Sequence, residues 1–220
     1  MAPFHRNENN TDGPLCGQCE RLRPPFVRAV AYGVYEDTLR ALVHLLKYER
    51  TAPLAVPLGA LLAQAIHAMP GLPQELAVVA VPLHPAKERQ RGFNQSALLA
   101  KGAVRALGRL DKTRRAHLVP RALGRQRATE GQAGLTPHQR RRNLRGAFFV
   151  ARPEAVRGRA VLLLDDIYTT GATARECTRA LLAAGAASVY VATLARSQRE
   201  SAALWDAPPQ WTAQMENAVH

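Results

Sequence analysis

Two adjacent aspartates, Asp165 and Asp166, follow the apolar run 161–164, and a turn rich in hydroxyls, Thr169-Thr170-Gly171-Ala172-Thr173, follows them. The apolar run is short and reads as a buried strand, and the turn opens a helix stopped by Gly185. In an open α/β sheet, ligands sit at the carboxyl ends of strands, where neighbouring loops diverge and leave a crevice. Unpaired amides at a helix start attract phosphate, aided by the positive end of the helix dipole, and the hydroxyls of Thr169, Thr170 and Thr173 add donors. Gly171 lets the backbone come close to a ligand. Two carboxylates add nothing to an anion cradle, but they accept hydrogen bonds from the vicinal hydroxyls of a sugar. A ribose 5-phosphate satisfies both halves. The same two acids are also able to bind Mg²⁺ directly or to cap the helix. Neither a Walker A loop nor a Gly-x-Gly-x-x-Gly loop occurs in the chain.

The elements that must position these residues follow from periodicity. Leu39, Leu42, Val43 and Leu46 recur at helical spacing within 36–48, and Leu58, Leu61, Leu62, Ala65 and Ile66 repeat the pattern after Pro57. Residues 77–81 form a short β-branched run closed by Pro82, a second buried strand. A polar loop, 83–92, leads into a helix over 94–107 ended by Gly108. Residues 117–123 and 146–150 have strand composition and bracket a basic stretch, 131–142, so they predict two strands joined by a mobile flap. A strand over 159–164, a helix over 174–184 and a strand over 188–194 complete the alternation. Strands alternating with helices predict an α/β fold with a mainly parallel sheet. The expected organisation is a disordered tail at 1–14, a cysteine-bearing segment at 15–30, the main domain at 31–196 and a tail at 197–220.

The formal net charge is +13. Between Lys112 and Arg145 ten basic residues face the single acid Glu130, a concentration that points to a polyanionic partner or to a solvated arginine-rich loop. No apolar run is long enough to span a membrane, and residues 1–10 lack the apolar stretch of a signal peptide, so a cytoplasmic protein without membrane insertion is expected. Three cysteines do not make a disulfide framework. Cys16-Gly-Gln-Cys19 has the spacing of half a zinc site. Cys177 falls in register with Ala174, Leu181 and Ala184 on the apolar helix face and is expected to pack in the core.

The segment Leu-Leu-Leu-Asp165-Asp166-Ile-Tyr-Thr-Thr-Gly-Ala-Thr173 resembles the phosphoribosyl-pyrophosphate signature of type I phosphoribosyltransferases. The stretch 81–96 (Val-Pro-Leu-His-Pro-Ala-Lys-Glu-Arg-Gln-Arg-Gly-Phe-Asn-Gln-Ser), Lys47-Tyr48, and the basic stretch from Arg125 to Phe148 resemble the ComF branch, the competence-protein relatives. The likeness runs from about Leu15 to Arg196.

The resemblance implies a type I phosphoribosyltransferase-like fold with flanking helices and a flap. It places the ribose 5-phosphate on Thr169, Thr170, Gly171, Ala172 and Thr173, and the ribose hydroxyls on Asp165 and Asp166 as the catalytic pair. It places pyrophosphate on Leu83, His84 and Pro85, with Lys87, Arg89 and Arg91 as charge partners and Mg²⁺ accompanying the ligand. The implied reaction displaces pyrophosphate from the anomeric carbon by a nitrogen nucleophile, which needs orientation, cationic stabilisation and exclusion of water rather than a covalent nucleophile. The ComF likeness also implies a link to DNA uptake in natural transformation. It leaves open a non-catalytic module that senses ligand while handling single-stranded DNA or contacting DNA-uptake proteins. ComF-like proteins often carry upstream cysteine pairs, and none stands in residues 1–14, so zinc at Cys16 and Cys19 would need further ligands.

Overall fold

The run Val161-Leu-Leu-Leu is apolar at every position because the strand it forms is covered on both faces: Val161 and Leu163 turn into one core cluster, Leu162 and Leu164 into another. The computed structural model describes residues 5–6, 24–48, 51–126, 144 and 146–197. In chain order the elements are β1 (His5–Arg6), β2 (Arg28–Val34), α1 (Asp37–Tyr48), α2 (Ala55–His67), β3 (Glu75–Ala80), α3 (Pro85–Arg91) and α4 (Gln95–Leu110). They continue with β4 (Arg115–Leu118), β5 (Leu123–Arg125), β6 (Phe148–Val150), β7 (Ala160–Tyr168), α5 (Ala172–Ala183) and β8 (Ser188–Arg196).

The main sheet has the order β1-β2-β8-β7-β3-β4, in which β2, β8, β7, β3 and β4 are parallel and β1 is an antiparallel edge. The mainly parallel α/β fold is therefore as expected. Residues of α1, α2 and α4 share one core with Leu162, Leu164 and Leu194, while those of α5, β5 and β6 share the other with Leu163 and Val191. Two glycines set the spacing of α2 on α4. A Cβ at Gly59 would lie 2.7 Å from the Gly102 backbone, and one at Gly102 would lie 2.6 Å from the Ala55 carbonyl oxygen.

Several boundaries differ from the sequence pattern for identifiable reasons. The expected strand over 117–123 is two strands. Pro120 cannot donate to a ladder and Arg121 takes φ of 54°, so β4 joins the main sheet beside β3, and β5 pairs instead with β6 as an antiparallel two-stranded sheet. The polar loop 83–92 contains α3, capped at its start by His84 and ended by Gly92 at φ of 81°. The helix expected to stop at Gly108 runs to Leu110, since one glycine lowers helix stability without terminating it. Strand β7 extends through both aspartates to Tyr168. Strand β2 had no signal in the apolar pattern, and it crosses the expected boundary between residues 30 and 31. The flap stretch 131–142, the tails 1–14 and 198–220, and Cys16 with Cys19 lie outside these residues, apart from the short strand β1.

Candidate functional site

Asn94 organises the local chain. Its side-chain oxygen accepts from the Ser96 and Ala97 amides, capping α4, while its amide nitrogen donates to the Val81 carbonyl at 3.0 Å. The start of α4 is thereby tied to the end of β3. That tie aims the next two side chains, Gln95 and Ser96, at the end of β7, the neighbouring strand.

There the two aspartates are held differently. Asp165 Oδ1 accepts from the Ser96 hydroxyl and from the Asp166 amide, both at 2.9 Å, whereas its Oδ2 has no hydrogen-bond partner among the described residues. Asp166 Oδ1 accepts from the Ile167 amide at 2.7 Å. Asp166 Oδ2 takes both the Gln95 side-chain amide at 3.0 Å and the Lys47 ammonium at 2.9 Å. Lys47 comes from the last turn of α1. Behind this shell, Arg91 donates to the Gln95 side-chain oxygen at 3.0 Å and stands 5.0 Å from the centre of the Tyr48 ring.

Burial and the adjacent Asp166 charge push the Asp165 carboxyl up to about 7. The hydrogen bonds from the Asp166 amide and Ser96, and the charge of Lys47, pull the other way and are outweighed. Cys177, beneath the site, is fully buried, and burial pushes its thiol up, so it is a packing group as expected and not a nucleophile.

An open cleft of about 200 Å³ lies over the acids. Of the residues singled out from sequence, Leu83, Lys87, Arg91, Asp165, Asp166 and Thr173 line it, and Lys47, Gln95, Ser96 and Arg125 add to its walls. Thr169, Gly171, Ala172 and Thr173 line an adjoining hollow of about 20 Å³ that shares Asp165 with the cleft. Gly171 takes φ of 70°, and a Cβ there would overlap the Tyr168 hydroxyl. The Thr170 hydroxyl is buried and accepts from the Ala172 amide, so it shapes the turn. His84 spends its Nδ1 on the Ala86 amide, Pro85 is the first residue of α3, and Arg89 is exposed outside the cleft.

Thr193 also lines the hollow beside Asp165. Thr193 is paired in register with Asp165 on β8, and its hydroxyl is buried with no partner among the described residues. Lys47, Gln95, Ser96 and Thr193 had no role in the sequence reading. The only available signal was that the first three sit in stretches carrying the ComF likeness.

Residues 100–216 match the family described as phosphoribosyl transferase domain. The protein named DNA utilization protein YhgH from Escherichia coli K12 is 37% identical over 185 residues, covering 83% of this chain and 78% of its own length. Competence protein F from Haemophilus influenzae is 31% identical over 189 residues, with the same two coverages. Competence protein ComFC from Bacillus subtilis is 34% identical over 125 residues, covering 56% of this chain and 46% of its own. Among solved structures, the allosteric regulatory enzyme of purine biosynthesis overlaps 66% of this chain and 25% of its own at a TM-score of 0.40 and 25% identity. With the parallel sheet and the Asp165 to Thr173 segment at its carboxyl edge, the domain match and the likeness to the YhgH and competence protein F sequences make the chain a member of the ComF family of type I phosphoribosyltransferase-like proteins.

Proposed function

We propose that the protein binds phosphoribosyl pyrophosphate in the cleft over Asp165 and, with Mg²⁺, presents it for transfer of the phosphoribosyl group to a nitrogen acceptor. The observation that carries this reading is the convergence, on the cleft and the hollow adjoining it, of a carboxylate oxygen with no partner among the described residues, a glycine-bent helix start and the cations of α3. In this reading the turn 169–173 holds the 5-phosphate through the first-turn amides of α5, and Asp165 Oδ2 accepts from a ring hydroxyl. Lys87 and Arg91 face the pyrophosphate. The anomeric carbon–oxygen bond breaks with its electron pair leaving on pyrophosphate, a nitrogen lone pair forms the new bond, and that nitrogen loses its proton to solvent.

Among the described residues no group of three His, Cys, Asp or Glu side chains forms a protein-only metal cage. One free carboxylate oxygen beside phosphate oxygens is the usual way Mg²⁺ is held, so the donor set fits an ion that arrives with the ligand. When bound, the ion would neutralise charge gathering on the leaving group. Calorimetric titration with phosphoribosyl pyrophosphate and Mg²⁺ tests the reading. Asp165→Asn/Asp166→Asn should lower affinity at least ~10-fold, since each lost charge-assisted hydrogen bond is worth about 1.5 kcal/mol or more, and unchanged affinity would overturn it.

A second reading is a ligand-sensing module in a DNA-uptake process, with single-stranded DNA as its partner. It is favoured by α4, whose residues Gln95–Leu110 include no acid and whose Lys101, Arg105 and Arg109 are exposed at four-residue spacing. The relatives' names, competence protein and DNA utilization protein, support the same direction. Pyrophosphate release with a panel of nucleobases and amines separates the two readings. Turnover favours transfer, whereas no turnover together with salt-sensitive oligonucleotide binding favours the module. For the described residues, no helix is long and apolar enough to cross a membrane.

A further inference from the structure

Tyr48 is the most exposed of the described Phe and Tyr side chains, at 61%, although two planar groups already rest near its ring. The His44 imidazole, one turn earlier on α1, has its centre 4.7 Å away and is tilted by 39°. The Arg91 guanidinium, at the end of α3, stands 5.0 Å from the ring centre. An open aromatic ring beside an imidazole and a guanidinium is a surface on which planar heterocycles stack, because every such heterocycle offers it a π-face. The cleft fixes what else that heterocycle must carry. Lys47, the neighbour of Tyr48 in sequence, and Arg91, its neighbour in space, both line the cleft, and Lys87, which lines it too, lies one turn before Arg91 on the same side of α3. Neither Lys87 nor Arg91 has an acidic partner among the described residues.

We propose that the protein binds a nucleoside diphosphate at this edge of the cleft, with the base stacked on Tyr48 and His44 and the diphosphate on Lys87 and Arg91, so that the nucleotide competes with phosphoribosyl pyrophosphate for the cations of α3. This rests on the reading that places pyrophosphate on those cations, and adds regulation by a nucleotide to it. Two cations joined to a stacking ring match a ligand that has phosphates at one end and a planar base at the other. One guanidinium separates the Tyr48 ring from the cleft, as one sugar separates a base from its phosphates.

ADP, with inorganic pyrophosphate as the control that lacks a base, is titrated calorimetrically into the full chain, wild type and variants, with Mg²⁺ present. Wild type should bind ADP, and ADP should lower the apparent affinity for phosphoribosyl pyrophosphate as a competitor does. Tyr48→Ala should weaken ADP ~10-fold while leaving pyrophosphate within about twofold, the scale of one base stacked on an aromatic ring. Tyr48→Phe should keep the wild-type affinity for ADP, because stacking needs the ring and not the hydroxyl. His44→Ala should weaken ADP in the same direction and serves if Tyr48→Ala does not fold. Absence of ADP binding to folded wild type overturns the proposal, as does an unchanged ADP affinity in folded Tyr48→Ala, or ADP binding that does not compete with bound phosphoribosyl pyrophosphate. Equal losses for ADP and pyrophosphate in Tyr48→Ala also overturn it, because the ring would then act by holding Arg91 and not by receiving a base. If phosphoribosyl pyrophosphate binds and ADP does not, this inference alone fails. If ADP binds through Tyr48 and phosphoribosyl pyrophosphate does not bind, the nucleotide site stands and the phosphoribosyl reading fails.

Discussion

The Ser96 hydroxyl donates to Asp165 Oδ1 at 2.9 Å across a separation of 69 residues, joining the first turn of α4 to the end of β7. This bond fixes which oxygen of Asp165 belongs to the protein and which is left to a ligand. Removing it with Ser96→Ala takes away a donor that favours the charged carboxylate. The pH at which ligand affinity reaches half its plateau should move upward from about 7, and affinity at pH 7 should fall on the order of 10-fold. Titrations with phosphoribosyl pyrophosphate from pH 6 to 8.5 measure both.

Asp165 also makes the pH dependence of stability opposite to that of binding. Its folded-state value, about 7, lies above the ordinary 3.8, so the native state holds the proton more tightly than the unfolded chain. The stability this contributes is fully present below pH 3.8 and is lost as pH rises through about 7. Asp165→Asn should therefore be the more stable protein at pH 8, by roughly 1–3 kcal/mol, while binding ligand poorly. Urea denaturation of both proteins at pH 5 and pH 8 reads this out, and the difference between them should shrink at the lower pH.

Gly171 permits the turn that presents the helix start of α5. Gly171→Ala forces a Cβ into a left-handed conformation and against the Tyr168 hydroxyl. A loss of roughly 1–3 kcal/mol is expected, seen as a lowered Tm, together with weakened ribose 5-phosphate binding. Full binding in this variant would show that the phosphate does not sit on this turn.

On the far side of the sheet, α2 and α4 meet backbone to backbone at Gly59 and Gly102. Gly102→Val places atoms against the Ala55 carbonyl, which is main chain and has little freedom to retreat. It should destabilise by roughly 1–3 kcal/mol through overpacking and should shift Gln95 and Ser96 at the head of the same helix. Gly108 provides the control, because a Cβ there meets nothing within 4 Å. Gly108→Ala should be neutral or stabilise by roughly 0.4–1 kcal/mol through the unfolded chain. Thermal melts of the two variants separate packing from helix propensity.

The parallel sheet, the buried strand 161–164 and the hydroxyl-rich turn were legible in sequence because each rests on a local signal: an unbroken apolar run, a breaker, or a glycine next to helix-forming residues. The position of the acids at a strand end followed from the same signals. Strand β2 was not legible, because its alternation of alanine, valine, tyrosine and glycine carries little apolar contrast, and pairing with β8 is what makes it a strand. The split of 117–123 into β4 and β5 was likewise decided by which neighbour each half could pair with. Sequence placed Asp165 and Asp166 together as equals. Only the tertiary structure separates them, because the donors that do so, Ser96 for one and Gln95 with Lys47 for the other, arrive from α4 and α1, and no local pattern encodes where a distant helix will end.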